Sequence, residues 1–597
     1  MLATPTRRNG VTANEPGLRK GIRYQPDETP PVPLAFGLGL QLVVLCVAGI
    51  VLTPAIVIRA AGGSEAFLSW AVFAAILVSG TTTLIQAVRF GRFGAGYVLL
   101  MGTSGAFIAV CVAAIAQGGP AMLATLVVIS SLFQFVFSTW LSLFRRILTP
   151  AVSGTVIMLV AVTVMPIIFN MLKAVPEGVP AHAAPVSALA TMLVIVVIAL
   201  KATGTLRLWA PVIGVVAGSV VAAFFGLYDV DRVAEASWIG FPDGAWPGFD
   251  LEFGPVFWGL LPAFVFVTLV GAIETVGDAV AIQRISWRRP RAVDFRAVQG
   301  AVAADGVGNL LSGLAGTVPN TTYSTSVSVA ELTGVGARRV GVAVGILFLA
   351  MAFFPKVLAV ILAIPGPVAS AYLTVLLSML FVVGMRVVFQ DGIDYRKGLI
   401  SGVSFWIGVG FQNGVIFPEY FAEFAGGLLQ NGMTAGGLVA ILMTLFVELT
   451  GSRRSRIQVA FDVSSLPQIS EFLRAFASRT GWDAAMADRL NAVGEEGLLT
   501  LLQDKSEAER AQRRLLLIAY EEDGGAHLEF IAATGEENLQ DRIALLGART
   551  TGELIEIEQE VSLRLLRHLA SSVRHQQYYD TDIVTVRVDR PTDQKRY

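Results

Sequence analysis

Charged side chains are scarce in this sequence. Asp, Glu, Lys and Arg make up 15% of the 597 residues, whereas hydrophobic side chains make up 54%. Soluble globular proteins carry about 25% charged residues, because their surfaces face water. The shortage therefore excludes a soluble protein for most of the chain and indicates a protein embedded in a membrane.

Histidine and cysteine are scarcer still, with four and two residues. All four histidines lie outside the long apolar runs, which excludes imidazole from a proton relay at the middle of a bilayer. Cys46 and Cys111 each lie alone in an apolar run, which favours small core residues over a disulfide or a metal site. The sequence has no phosphate-binding loop and no nucleophile elbow. We therefore expect no enzyme, no cofactor and no nucleic-acid partner.

Long apolar runs are abundant. We count about fourteen such runs between residues 34 and 449. Most of them are close in length to the roughly 20 residues that a helix needs to cross a bilayer. Clusters of Arg and Lys precede the first run and follow every second one. Because positively charged loops stay in the cytoplasm, this alternation predicts a multi-pass protein of the cell (inner) membrane with both termini cytoplasmic.

Composition divides the chain into three parts. Residues 1–30 are polar and contain several prolines, so we expect a disordered cytoplasmic tail. Residues 31–450 hold the apolar runs and form the predicted all-α membrane domain. Residues 452–597 have the composition of a soluble protein and alternate between strand-like and helix-like patterns. They predict a cytoplasmic α+β domain of ordinary size.

Two carboxylates interrupt the apolar run over residues 256–280. Glu274 and Asp278 are four residues apart, so one turn of helix places them on the same face. Ionisable residues inside membrane spans are rare and usually functional. Two carboxylates this close in a poorly solvated cavity repel each other, so we expect one of them to hold a proton near neutral pH. We predict that the pair, with Asp305, couples proton binding to substrate binding; for Asp278 and Asp305 a purely structural role is the alternative.

Small and polar residues interrupt the third and the tenth apolar runs. The first break contains Gly102, Thr103, Ser104 and Gly105, and the second contains Pro319-Asn-Thr-Thr322. Broken helices expose backbone N–H and C=O groups, which is tolerated at membrane depth only where these groups line a cavity or are buried in protein. The breaks are equivalent if spans one to seven and eight to fourteen are inverted repeats, which predicts a binding site between them. The alternative is that the glycines only allow close helix packing.

Specific motifs follow one another along the membrane domain. They are Thr83-Leu-Ile-Gln86, Met101-Gly-Thr-Ser104, Gly271-Ala-Ile-Glu274-Thr-Val-Gly277-Asp278, Ala304-Asp305-Gly306, Gly316-Thr-Val-Pro319-Asn-Thr-Thr322-Tyr-Ser, and Leu332-Thr333-Gly334-Val335 followed by Arg338. In order and spacing they resemble the nucleobase–ascorbate transporter family, the relatives of uracil and xanthine permeases. The resemblance covers residues 34–449.

The resemblance implies fourteen spans in two inverted repeats of seven. A core domain (spans one to four and eight to eleven) would carry substrate past a gate domain (spans five to seven and twelve to fourteen) by an elevator-type mechanism, in a homodimer. It implies secondary active transport of a nucleobase or a related purine- or pyrimidine-like molecule, coupled to an ion, commonly H⁺ in bacteria. Glu274 matches the glutamate that accepts ring N–H groups, and Asp278 matches the polar position one turn later. A carboxylate has two acceptor oxygens that can bind adjacent N–H groups of a purine or pyrimidine ring.

The sequence departs from the family at the predicted substrate site. Thr325 and Ser326 stand where the family usually has Gln or Glu and then Asn, and Gly105 stands where it often has Phe. A site that loses a long polar side chain and gains space should prefer a different or bulkier ligand. We still expect Ser104, Gly105, Thr325 and Ser326 to present backbone N–H groups to the substrate at half-helix ends.

Two other functions stay open at this point. A sulfate-permease-like anion transporter shares the two-repeat architecture. A membrane sensor would bind its ligand and signal through the C-terminal domain to a cytoplasmic partner. That domain resembles the anti-sigma-factor kinase branch of the histidine-kinase-like ATPases. However, Thr500 and Ala533 stand where its ATP site has Asn and Asp, so we expect no ATP hydrolysis.

Overall fold

The structure is a computed structural model that describes most of the chain in two compact units. The described residues are 21–144, 149–173, 178–242, 244–289, 291–389, 394–417, 431–450, 454–502, 514–522, 524–532, 565–579 and 581–590, with a few positions between these ranges. One unit comprises Arg23–Ser286 and Arg296–Gly451. The other holds the described residues of Met1–Ile22, Trp287–Phe295 and Ser452–Tyr597.

Helices dominate the first unit, as predicted. In chain order they are α1 (Val32–Ala60), α2 (Glu65–Val88), α3 (Ile108–Thr139), α4 (Leu141–Phe144), α5 (Pro150–Met171), α6 (Ala183–Lys201), α7 (Thr205–Phe224), α8 (Val230–Glu235), α9 (Pro255–Ser286), α10 (Phe295–Ala315), α11 (Thr325–Thr333), α12 (Arg338–Met351), α13 (Pro355–Leu362), α14 (Gly366–Val388), α15 (Tyr395–Gln412) and α16 (Gly432–Thr450). Local sequence sets several of these boundaries. For example, Ser64 Oγ accepts the Phe67 N–H at 3.2 Å and caps α2, while Thr149 and Pro150 begin α5.

Nine of the described helices are long and apolar enough to cross a membrane, and the bent pair α12 and α13 would make ten. The predicted count of fourteen is not confirmed by this measure. One reason is that α11 has only nine residues. Another is that two predicted spans share α3, which kinks at Gly119 before Pro120. The chain is a multi-pass membrane protein, as its apolar runs predict.

The most extensive helix contacts fall into two groups. In the first, α1 packs against α2 and α12, and α3 packs against α9. In the second, α5 packs against α14, α15 and α16, and α6 packs against α7 and α14. Small residues allow close approach within these groups: a Cβ on Gly384 of α14 would lie 2.7 Å from the carbonyl oxygen of Gly154 in α5. The groups contain the spans assigned above to a core and a gate domain, an assignment that stays a prediction.

Two four-residue strands interrupt the helices of the first group. β1 (Leu100–Thr103) lies in the third apolar run and β2 (Asn320–Tyr323) in the tenth. They pair antiparallel, with Leu100 opposite Tyr323. On the other edge of β1, the Met101 N–H donates to Thr83 Oγ1 at 3.0 Å. The two predicted breaks are therefore confirmed, and they are neighbours in space.

The second unit contains an antiparallel sheet. Its strands are β3 (Ser455–Ala460), β4 (Arg514–Glu522), β5 (Gly525–Ala532), β6 (Ser572–Gln577) and β7 (Asp582–Asp589), in the order β3-β4-β5-β7-β6. Helices α17 (Leu466–Arg479) and α18 (Ala484–Leu502) share one hydrophobic core with the sheet. This confirms the α+β fold predicted for this part of the chain. Thr500 is buried in α18, whereas Ala533 lies outside the described residues.

The structure also describes residues 21–30, the end of the predicted N-terminal tail. Backbone hydrogen bonds join residues 23–26 to residues 334–338, between α11 and α12. Residues 1–20 of the predicted tail lie outside the described residues.

Candidate functional site

The paired strands lead into two helices that begin beside the ladder. β1 is followed by Ser104, a short 3-10 turn (Gly105–Phe107) and α3, while β2 is followed by Ser324 and α11. The first backbone N–H groups of a helix have no partner within that helix, and its N-terminus carries a partial positive charge. The fold thus brings two such N-termini, from opposite halves of the chain, to one place.

Tyr323 links the two breaks, and it does so because residue 102 is glycine. A Cβ on Gly102 would lie 2.7 Å from Tyr323 Cζ and 2.9 Å from Ile50 Cγ1. The Tyr323 hydroxyl donates to the Thr103 carbonyl oxygen at 2.8 Å. This tyrosine belongs to the motif Gly316-Thr-Val-Pro319-Asn-Thr-Thr322-Tyr-Ser, but the sequence predicted no role for it.

The two glycines of the first break provide a matched pair of substitutions. We expect Gly102→Ala to lower the melting temperature of the detergent-solubilised protein, because the new methyl group would displace the Tyr323 ring. Gly105→Ala should leave the melting temperature unchanged, because no heavy atom lies within 4 Å of its Cβ position. A thermal shift measurement on both variants checks this. Equal melting temperatures for the two variants would contradict the packing argument.

Glu274 is a partly exposed carboxylate in the middle of α9. Its neighbours Thr275 and Asp278 are 0% and 7% exposed. Tyr323 and the carboxylates of Asp278 and Asp305 are close enough to interact with it electrostatically. Within the described part of the chain, Glu274 forms no hydrogen bond and no salt bridge. Both of its oxygens are therefore available to accept hydrogen bonds from a ligand.

Asp278 has a different environment from Glu274. Its Oδ2 accepts from Thr322 Oγ1 at 2.8 Å, and its Oδ1 accepts from Ser324 Oγ at 2.6 Å. Thr322 belongs to β2 and Ser324 directly precedes α11. Asp278 therefore connects α9 to the second break. These contacts are what the alternative of a purely structural role for Asp278 predicts.

Asp305 lies in a buried polar network. Its Oδ2 accepts from Gln134 Nε2 at 2.6 Å and from Thr275 Oγ1 at 2.9 Å. Asn309 Nδ2 donates to Gln134 Oε1 at 2.8 Å, and Asn309 Oδ1 accepts the backbone N–H of Asn320 at 2.8 Å. The network joins α3, α9, α10 and β2 behind the ladder. Sequence reasoning found Asp305 but missed Gln134, Thr275 and Asn309.

The three carboxylates have no positive partner in the part of the chain that the structure describes. Among the described residues, none of Glu274, Asp278 and Asp305 forms a salt bridge with Lys, Arg or His. A buried carboxylate without a counter-ion is costly, and neutral hydrogen-bond donors or a bound proton reduce that cost. Asp278 and Asp305 have neutral donors, whereas Glu274 has none among the residues that the structure describes.

The remaining predicted site residues surround the ladder. The Ser104 hydroxyl is buried, and no group among the described residues bonds to it. The Ser104 N–H, however, donates to the Pro319 carbonyl oxygen at 2.9 Å, so it is not free for a ligand. Thr325 lies beside Cys46 of α1, and Ser326 Oγ donates to the Tyr323 carbonyl oxygen at 2.8 Å. Thr325 is a short side chain in the position where a longer polar side chain was expected to reach a ligand.

Comparison with known proteins identifies the membrane part of the chain. Residues 35–416 match the model of the xanthine and uracil permeases, described as the permease family. The chain belongs to this family. It is therefore a membrane transporter and not an enzyme, and the resemblance drawn from its motifs is confirmed. The resemblance of the C-terminal domain to ATPases stays a prediction, since the match ends before that domain.

The permease is similar to several curated bacterial proteins. It is 29% identical over 447 residues to xanthine permease XanP of Escherichia coli strain K12, which covers 71% of this chain and 94% of XanP. It is 26% identical over 452 residues to uric acid permease PucJ of Bacillus subtilis strain 168, covering 73% of this chain and 97% of PucJ. Among solved structures, the transmembrane domain of the cyanobacterial bicarbonate transporter BicA matches with a TM-score of 0.45 and 17% identity, over 71% of this chain and 100% of that domain.

Proposed function

We propose that this permease is a secondary active transporter that takes up a purine- or pyrimidine-like nucleobase together with H⁺. It would act by an elevator-type mechanism, as a homodimer in the inner membrane. The observation that carries the proposal is the Glu274 carboxylate, which has no hydrogen-bond or salt-bridge partner in the described part of the protein and lies on α9, a helix that contacts both breaks. The names of XanP and PucJ, a xanthine and a uric acid permease, support this substrate class.

Recognition of a nucleobase would need both hydrogen-bond acceptors and hydrogen-bond donors in the site. Purines and pyrimidines present ring N–H donors beside carbonyl acceptors. Glu274 would accept two N–H groups with its two oxygens. The N–H groups in the first turns of the two half-helices, and the Ser104 hydroxyl, would donate to the carbonyl oxygens. A ligand with only acceptors, such as sulfate, would meet the Glu274 carboxylate without a donor to offer it.

Proton coupling would centre on Glu274. Asp278 accepts two hydrogen bonds and Asp305 accepts three, all from neutral groups, which stabilises both carboxylates where they are. Among the described residues Glu274 has no such donor, so a ligand or a proton would supply it. Symport requires that the proton and the substrate cross the membrane in the same step, and the bound proton would lower the cost of moving the buried carboxylates through a low-dielectric region.

The open space at Gly105 favours a ligand bulkier than a bare six-membered ring. Gly105 leaves open space beside the first half-helix, and Thr325 contributes only a short side chain. A bicyclic purine fills more of such a space than a pyrimidine. We therefore propose a purine as the substrate in preference to a pyrimidine.

Thermal stabilisation and uptake together test this function. We expect purines to raise the melting temperature of the solubilised permease, because a ligand that binds only the folded state stabilises it. In proteoliposomes, accumulation of the same purine should require an inward proton gradient and collapse with a protonophore. Stabilisation by small anions alone would overturn the proposal in favour of an anion transporter. Purine binding without any uptake would overturn it in favour of a sensor.

A further inference from the structure

The segment of residues 23–28, before α1, forms backbone hydrogen bonds with the connection between α11 and α12. The N–H groups of Arg23 and Tyr24 donate to the Gly334 carbonyl oxygen at 2.7 and 3.0 Å. The Gly336 N–H donates to the Tyr24 carbonyl oxygen at 2.8 Å, and the Arg338 N–H donates to that of Pro26 at 3.1 Å. Tyr24 and Val335 form a parallel bridge. We call this segment the N-terminal clamp.

Arg338 extends the clamp to the first break. Its Nη2 lies 2.9 Å from Asp27 Oδ1, and its Nε donates to the Gly96 carbonyl oxygen at 2.6 Å. Gly96 precedes β1 by a few residues, and its own N–H donates to the Gln86 carbonyl oxygen at 2.8 Å. A single guanidinium group thus joins the clamp, the start of α12 and the approach to β1.

The clamp holds the far end of the half-helix that begins at the candidate site. α11 has nine residues, about 13 Å at 1.5 Å per residue, and a helix this short is marginal on its own. Its start is fixed by β2 and by Ser324, which bonds to Asp278. Its end is Gly334, left-handed at φ 68°, the residue whose carbonyl oxygen the clamp binds.

We propose that the N-terminal clamp positions α11 for substrate binding, with Tyr24 and Arg338 as positioning residues. A short helix held at both ends keeps its first N–H groups at a fixed distance from Glu274. If the clamp is released, the C-terminal end of α11 can shift or fray, and the N–H groups at its start move with it. Small displacements of groups that orient a ligand are costly. The part of this inference that concerns affinity rests on the function proposed above.

The test replaces the clamp in the full-length chain. One variant exchanges residues 23–28 for six Gly and Ser residues, and a matched control exchanges residues 12–17 in the same way. Hydrogen–deuterium exchange of residues 328–334 and the Kd for the best purine of the panel are measured for both variants and the wild type. We expect the clamp variant to show faster exchange in this peptide and a Kd about tenfold higher or more. The control should behave like the wild type.

Point substitutions separate the contributions within the clamp. Asp27 and Arg338 are 61% and 40% exposed, so Asp27→Asn should change the Kd less than about twofold. Arg338→Gln should have a larger effect, because it also removes the bond to Gly96. Arg338→Lys keeps the charge but cannot reach both acceptors with the same planar group, so it should recover only part of the loss.

Each outcome decides between a positioning role and its alternatives. Unchanged exchange in the clamp variant would overturn the clamp itself. Faster exchange with an unchanged Kd would overturn its role in binding and leave only a structural role. If no purine binds to the wild type, the proposed function is wrong. The exchange measurement alone then tests whether the N-terminal clamp stabilises the C-terminal end of α11.

Discussion

Replacing Glu274 by glutamine should lower the affinity of the permease for a purine by about a hundredfold or more. The carboxylate offers two acceptors, whereas the amide offers one acceptor and an NH₂ group that would face a ring N–H of the ligand. Losing one charge-assisted hydrogen bond and leaving a buried donor unsatisfied costs about 3 kcal/mol, which is about a hundredfold in Kd. Titration of the purified protein with the purine that stabilises it most measures the effect directly.

The matched control for this substitution is Glu252→Gln. Glu252 is exposed on the connection between α8 and α9, so the same chemical change is made far from the ladder. We expect the control to keep wild-type affinity and both variants to keep the wild-type melting temperature without ligand. If Glu274→Gln binds the purine as tightly as the control does, Glu274 is not the acceptor and the proposed recognition is wrong.

Among the substitutions proposed here, removal of the Asp305 side chain should lower the stability of the protein most. Asp305→Ala leaves Gln134 Nε2 and Thr275 Oγ1 buried without their acceptor. Each unsatisfied buried group costs about 1–3 kcal/mol. We expect the apparent melting temperature to fall by on the order of 10 °C. Asp231→Ala, an exposed aspartate in α8, should leave the melting temperature unchanged.

Asp305→Asn distinguishes the structural role of this residue from a role in proton coupling. The amide has the same shape and keeps one acceptor, so most of the stability should return. If the Asn variant also accumulates purine against a gradient, Asp305 is part of the framework and coupling rests with Glu274. If it binds purine and exchanges it across the membrane but cannot accumulate it, Asp305 belongs to the coupling machinery as first predicted.

Much of this architecture is predictable from sequence because it follows local rules. A carboxylate such as Glu274 or Asp305 stands out in an apolar run, and so do the glycines and prolines of a broken helix. The alternation of basic loops gives the orientation in the same way. These features need no knowledge of which segments meet.

The polar network behind the ladder could not be predicted in the same way. Gln134, Thr275 and Asn309 are single polar residues on three different helices, and each is unremarkable in its own sequence context. Their convergence on Asp305 depends on how α3, α9 and α10 pack. Tyr323 was missed for a related reason, since its position depends on the absence of a side chain at Gly102 in the other half of the chain.

The ladder of β1 and β2 also constrains how the protein is made. Tyr323 and Thr103, which it brings into contact, are 220 residues apart in sequence. During synthesis β1 enters the membrane long before its partner exists, and its unpaired N–H and C=O groups cannot be left against lipid. The first half of the chain must therefore wait in an incomplete state until the second half is inserted. A truncated chain that stops before Asn320 would expose this edge, which makes it a natural substrate for membrane quality control.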